Sequence, residues 1–132
     1  MIFGLFKSKE KVRRRAAVGR LGPYDRQKIE DDWERIEQLI AVGGPSALKE
    51  AVITADKLLD YALGQVSSGE AAGERLKNAR GAFPPPIYRG LWDAHKMRNA
   101  LVHDPNFDLS QLVAREVLGK YKAGFISLGA QI

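Results

Sequence analysis

The stretch PSALKEAVITADKLLDYALGQV, residues 45–66, decides the fold. Leu48, Val52, Ala55, Leu58, Leu59, Ala62, Leu63 and Val66 recur at intervals that place them on one broad face of a helix. Pro45 suits a first helical position, where its missing N–H costs nothing. Two carboxylates interrupt this segment. Asp56 lies on the apolar line Val52, Asp56, Leu59, Leu63, and Asp60 lies one turn on.

The flanking sequence predicts further helices. Upstream, Gly22-Pro23 breaks the chain, and Ile29, Trp33, Ile36, Leu39 and Ile40 recur at helical spacing between about Asp25 and Val42. Gly43-Gly44 ends that segment. Downstream, Ser67 to Gly73 reads as a polar loop, and a short helix is expected from Glu74 to Arg80, ended by Gly81. Phe83-Pro84-Pro85-Pro86 reads as a rigid entry to a helix from Ile87 to His103, which Asp104-Pro105 ends. For the last helix, Asp108 is the expected cap, Gln111 the third helical residue and Phe107–Leu112 the hydrophobic staple. Val113, Val117, Leu118, Tyr121 and Phe125 carry it to about Leu128. No alternating strand pattern or internal repeat is present. The expected fold is all-α: an antiparallel four-helix bundle with one short extra helix.

The chain has 132 residues, with 45% hydrophobic and 28% charged side chains, the composition of a globular protein with one core. It has no cysteine, which excludes disulfides and thiolate metal sites and fits a cytoplasmic setting. No apolar run approaches the ~20 residues of a membrane span, so no stable membrane insertion is expected. The net charge of +5 is unevenly spread. Residues 1–20 carry Lys7, Lys9, Lys11, Arg13, Arg14, Arg15 and Arg20 against Glu10 alone, a net +6, and the other 112 residues sum to −1. Residues 1–21 therefore read as a basic, flexible arm and residues 22–132 as the helical domain. Such an arm is either a solvated tail, a phosphate-seeking nucleic-acid contact, or, with Ile2, Phe3, Leu5 and Phe6, a weak membrane-surface anchor.

Arg98-Asn99-Ala100-Leu101-Val102-His103 is the segment best suited to chemistry. Asn99 and His103 are four residues apart and share a helix face with His95. A planar cation, an amide and an imidazole suit phosphodiester chemistry. Arg98 also continues the apolar line Ile87, Leu91, Ala94, so its alternative role is a structural pair with Asp56 or Asp60. Asn99 can instead bond back into its helix or face solvent. His103 can serve as a helix-terminal cation, and His95 can pack beside Trp92 or bond Asn99. The two histidines are eight residues, roughly 12 Å, apart along the axis, too far to share one metal ion. Neither a metal nor a cofactor site is expected. Trp33, Tyr88, Trp92 and Tyr121 lie in apolar stripes and read as core.

At these residues the chain resembles the HEPN superfamily of small helical-bundle domains. That family carries an Arg, a polar residue, three residues and a His late in its penultimate long helix. Ala55-Asp56-Lys57-Leu58-Leu59-Asp60 and Trp92-Asp93-Ala94-His95-Lys96 extend the likeness, which covers roughly Trp33 to Leu128. The resemblance implies a homodimer that pairs two motifs and cuts RNA without a metal, leaving a 2′,3′-cyclic phosphate. It implies His103 as general acid/base, Arg98 as stabiliser of the phosphorane and Asn99 as the orienting group; Asp56 and Asp60, read as partners of Arg98, and His95, read as a partner of Asn99, are the expected supporting residues. The chain departs from one toxin subgroup, in which a Tyr follows the His; here Asp104-Pro105-Asn106 follow. Many such domains are non-catalytic, so two expectations stand. One is a metal-independent endoribonuclease. The other is an RNA-, ribosome- or protein-binding module in which Arg98–Asp56 is structural.

Overall fold

The computed structural model describes residues 20–132, all helix, turn or loop with no strand. Four long helices and one short one follow in order: α1 (Pro23–Val42), α2 (Pro45–Val66), α3 (Ala72–Asn78), α4 (Pro85–His103) and α5 (Gln111–Ser127). A 3-10 turn, Arg80–Ala82, joins α3 to α4. The basic side chains from Lys7 to Arg15 lie outside the described residues; Arg20 is exposed. Leu21, assigned to the arm by sequence, is buried, and its N–H meets the Leu128 carbonyl at 3.5 Å.

α2 is the central element and touches each of the other four helices. All eight of its predicted apolar positions are buried, as is Asp56. Gly43, at φ 74°, turns the chain between α1 and α2 and caps α1 through its N–H to the Leu39 carbonyl. The two helices run antiparallel: Tyr61, near the end of α2, donates to Asp25, near the start of α1, at 2.6 Å. α4 and α5 also run antiparallel and pack closely where Gly124 faces Leu91. Trp33 of α1 meets Phe125 of α5 edge to face at 5.7 Å. Tyr121, Phe125, Ile29, Ile36 and Leu63 are among the largest fully buried side chains.

The bounds of four helices differ from expectation, each for a local reason; α1 starts at Pro23, two residues before Asp25, because proline suits a first helical position. α4 begins at Pro85, so the second and third prolines form its first turn, where N–H groups have no intrahelical partner anyway. α3 begins two residues early and ends at Asn78; Ala79 leads into the 3-10 turn. The cap of α5 is Ser110, whose hydroxyl accepts from the Val113 N–H at 3.2 Å. Asp108 does not cap, and Leu112 is 69% exposed, so the Phe107–Leu112 staple does not form. Leu109, immediately before the cap, is buried instead.

Candidate functional site

Asp56 is the one charged side chain buried among the described residues, and the site is built around it. Its position on α2 faces both α4 and α5. From α5, the Tyr121 hydroxyl donates to Oδ1 at 2.8 Å. From α4, His95 Nδ1 lies 3.0 Å from the same oxygen. Arg98 Nε lies 3.5 Å from Oδ2, which completes the charge balance. That Nε is buried and makes no hydrogen bond, so its link to Asp56 is an ion pair without hydrogen-bond geometry. Burial, and then the adjacent Asp56 charge, push the Tyr121 hydroxyl far above the usual tyrosine range. Tyr121 therefore acts as a donor that keeps its proton.

The second oxygen-and-nitrogen layer lies on α4. Arg98 NH1 donates to Asn99 Oδ1 at 3.0 Å. Asn99 Nδ2 lies 3.5 Å from His95 Nε2. With Nδ1–H donated to Asp56, Nε2 is left as the acceptor toward that amide. His95 also meets Trp92 edge to face at 6.2 Å. Asp56, His95, Arg98, Asn99 and Tyr121 thus form one connected polar group spanning three helices. The space beside Asp56, Asp60 and His95 is only about 10 Å³, close to the room of one water. A hollow of that size admits no substrate, and Asp56 itself is only 5% exposed.

The other two site residues stand apart. Asp60 is not a partner of Arg98; it holds Arg75 of α3, with Nε to Oδ1 at 2.8 Å and NH2 to Oδ2 at 3.0 Å. That bond raises the Arg75 pKa. His103 is exposed at the last turn of α4 and makes no side-chain hydrogen bond or ion pair among the described residues. Asn99 has its side-chain contacts with His95 and Arg98, and none with His103. Asp104 is occupied in its own turn, accepting from the Asn106 N–H at 3.0 Å.

The partners missed by sequence reading were Tyr121 and Arg75. Tyr121 read as core because its ring is core; the usable signal was that a buried hydroxyl and a carboxylate on an apolar face each need a partner. Among the described residues, no cluster of three or more His, Asp or Glu side chains could hold a metal ion. Nor is any helix there long and apolar enough to cross a membrane. The chain matches no family model, no curated protein and no solved structure.

Proposed function

We propose that this is an RNA-associated helical domain of the HEPN type, in which Arg98, Asn99 and His103 present the reacting groups to RNA. The observation that carries the reading is that a cation oriented by its neighbours and an exposed imidazole lie five residues apart toward the end of one helix. Arg98 is aimed by Asp56 and Asn99 and remains 26% exposed, while His103 is exposed and makes no side-chain hydrogen bond or ion pair among the described residues. In this reading His103 takes the proton of the ribose 2′-OH as that oxygen attacks phosphorus. The P–O5′ bond breaks, the leaving oxygen takes a proton from the imidazole of a second copy, and Arg98 offsets the charge of the phosphorane. One chain supplies a single imidazole of this kind, so the reaction calls for a homodimer with two motifs at its axis.

The test is incubation of RNA with the full chain in excess chelator, beside folded His103→Ala and Arg98→Ala variants. The expected result is a 2′,3′-cyclic phosphate product and a loss of about 10²–10⁴-fold in rate for His103→Ala. Cleavage that requires added Mg²⁺, or that survives both substitutions, would sink the mechanism. A second reading, a binding module with a structural Arg98, is favoured by one observation: the buried Nε against Asp56. RNA binding without cleavage, unchanged by His103→Ala, selects that reading.

A further inference from the structure

A cleft lies away from Asp56, where α3, the 3-10 turn and the start of α4 meet. It holds about 880 Å³, within the range of small-ligand sites. Lys77, Asn78, Arg80, Phe83, Tyr88 and Arg89 line it. Lys77, Arg80 and Arg89 are exposed, and among the described residues none of them has a carboxylate partner. Three unpaired cations around one hollow attract an anion. The floor is aromatic: Phe83 and Tyr88 stack at 6.5 Å with 26° between their planes. The Arg80 guanidinium lies over the Tyr88 ring, 5.8 Å from its centroid. Pro84, Pro85 and Pro86 remove three N–H groups from this end of α4, so side chains and not the helix terminus must do the binding.

We propose that this cleft binds the base-and-phosphate units of single-stranded RNA, with a base stacked on the outer, Arg80 side of the Tyr88–Arg80 pair and phosphates on Lys77 and Arg89. Cations interleaved with aromatic faces are the means by which proteins hold a single strand without reading its sequence. A direction is also built in. Tyr88 meets Trp92 at 6.3 Å and Trp92 meets His95 at 6.2 Å, so ring contacts run along α4 from the cleft toward Arg98 and Asn99. The ten residues from Tyr88 to Arg98 span about 15 Å of helix axis, a distance that a strand of a few nucleotides bridges. The inference rests on the RNA reading above and assigns it a second, substrate-holding surface.

Binding of a labelled single-stranded oligoribonucleotide to the full chain, followed by anisotropy across salt concentrations, tests it. The Arg80→Ala/Arg89→Ala variant is compared with Lys49→Ala/Arg115→Ala, which removes the same charge from exposed sites outside the cleft. The expected result is an affinity loss of about tenfold or more for the cleft variant alone, with the log–log salt slope falling by about 0.7, the share of the one phosphate contact that Arg89 makes. Tyr88→Ala should lose about tenfold with its charge unchanged. Equal losses in the cleft and control variants would overturn the cleft while leaving RNA binding intact. Equal affinity for a duplex of the same length would overturn stacking on Tyr88. If the full chain bound neither the oligonucleotide nor AMP, the cleft and the RNA reading would fail together.

Discussion

Asp56 has more support than Arg98 alone provides, and this redistributes the expected effects of mutation. Its Oδ1 receives Tyr121 and His95 at 2.8 and 3.0 Å, whereas Arg98 Nε stands 3.5 Å from Oδ2. Removing Arg98 leaves the carboxylate with two donors, and the guanidinium was already 26% exposed. Arg98→Ala is therefore expected to cost about 1–2 kcal/mol, less than a fully buried pair. Asp56→Ala strands a buried hydroxyl, an imidazole N–H and a cation together, and should cost about 3–5 kcal/mol. Urea unfolding of the two variants checks the order; a larger loss for Arg98→Ala would show that the ion pair dominates the site. The Arg98–Asp56 pair was legible because both residues interrupt apolar helix faces. The sharing of Asp56 with Tyr121 was not, because helical spacing places a tyrosine on a face without saying where its hydroxyl ends.

At the scale of elements, spacing specified the helices better than their ends. The apolar face of α2 was readable because a broad stripe tolerates no shift of phase, although Ala51, also fully buried, was not among the positions read. The start of α5 was not, because Asp108 and Ser110 are both competent caps, and burial of Leu109 decides between them. Glycines in α5 give a sharper contrast that sequence alone could not supply. A Cβ on Gly124 would lie 2.7 Å from Leu91 Cδ2, and Leu91 is itself fully buried. A Cβ on Gly119 would meet nothing within 4 Å. Gly124→Ala is thus expected to destabilise by about 1–3 kcal/mol through overpacking at the α4–α5 contact. Gly119→Ala should stabilise by about 0.5–1 kcal/mol, since alanine is the better helix former. Thermal melts of the two variants should move in opposite directions; parallel shifts would mean that α4 and α5 are not held this close.

For the whole molecule, the cleft lined by Lys77, Arg80 and Arg89 was invisible to spacing because its parts come from a short helix, a turn and a helix start. The tyrosine cross-ties between helices were equally hidden, and they imply an alkaline limit to stability. Tyr61 joins α2 to α1 through Asp25, and Tyr121 joins α5 to α2 through Asp56. The hydrogen bond to Asp25 pushes the Tyr61 hydroxyl up to about 12 from its ordinary value of 10.0. Burial and the Asp56 charge push Tyr121 up as well. Both groups hold their protons more tightly folded than unfolded. Their stabilisation is complete below the unfolded value of about 10 and is lost as pH rises from there toward the folded values. In that window the unfolded chain releases protons that the folded chain keeps, and Tyr121 contributes a slope of up to about 1.4 kcal/mol per pH unit. These tyrosines should therefore add no pH dependence to the stability from denaturant titrations at pH 8 to 9, and stability should fall progressively above about 10. Tyr121→Phe should lower stability at pH 8 by about 1.5–3 kcal/mol, through loss of a hydrogen bond to a charged acceptor, while flattening the alkaline decline. Tyr61→Phe should flatten it further. An alkaline decline of the same steepness in wild type and in both variants would show that these hydroxyls do not brace the bundle. The lysines and arginines, common to all three proteins, would then account for the whole loss.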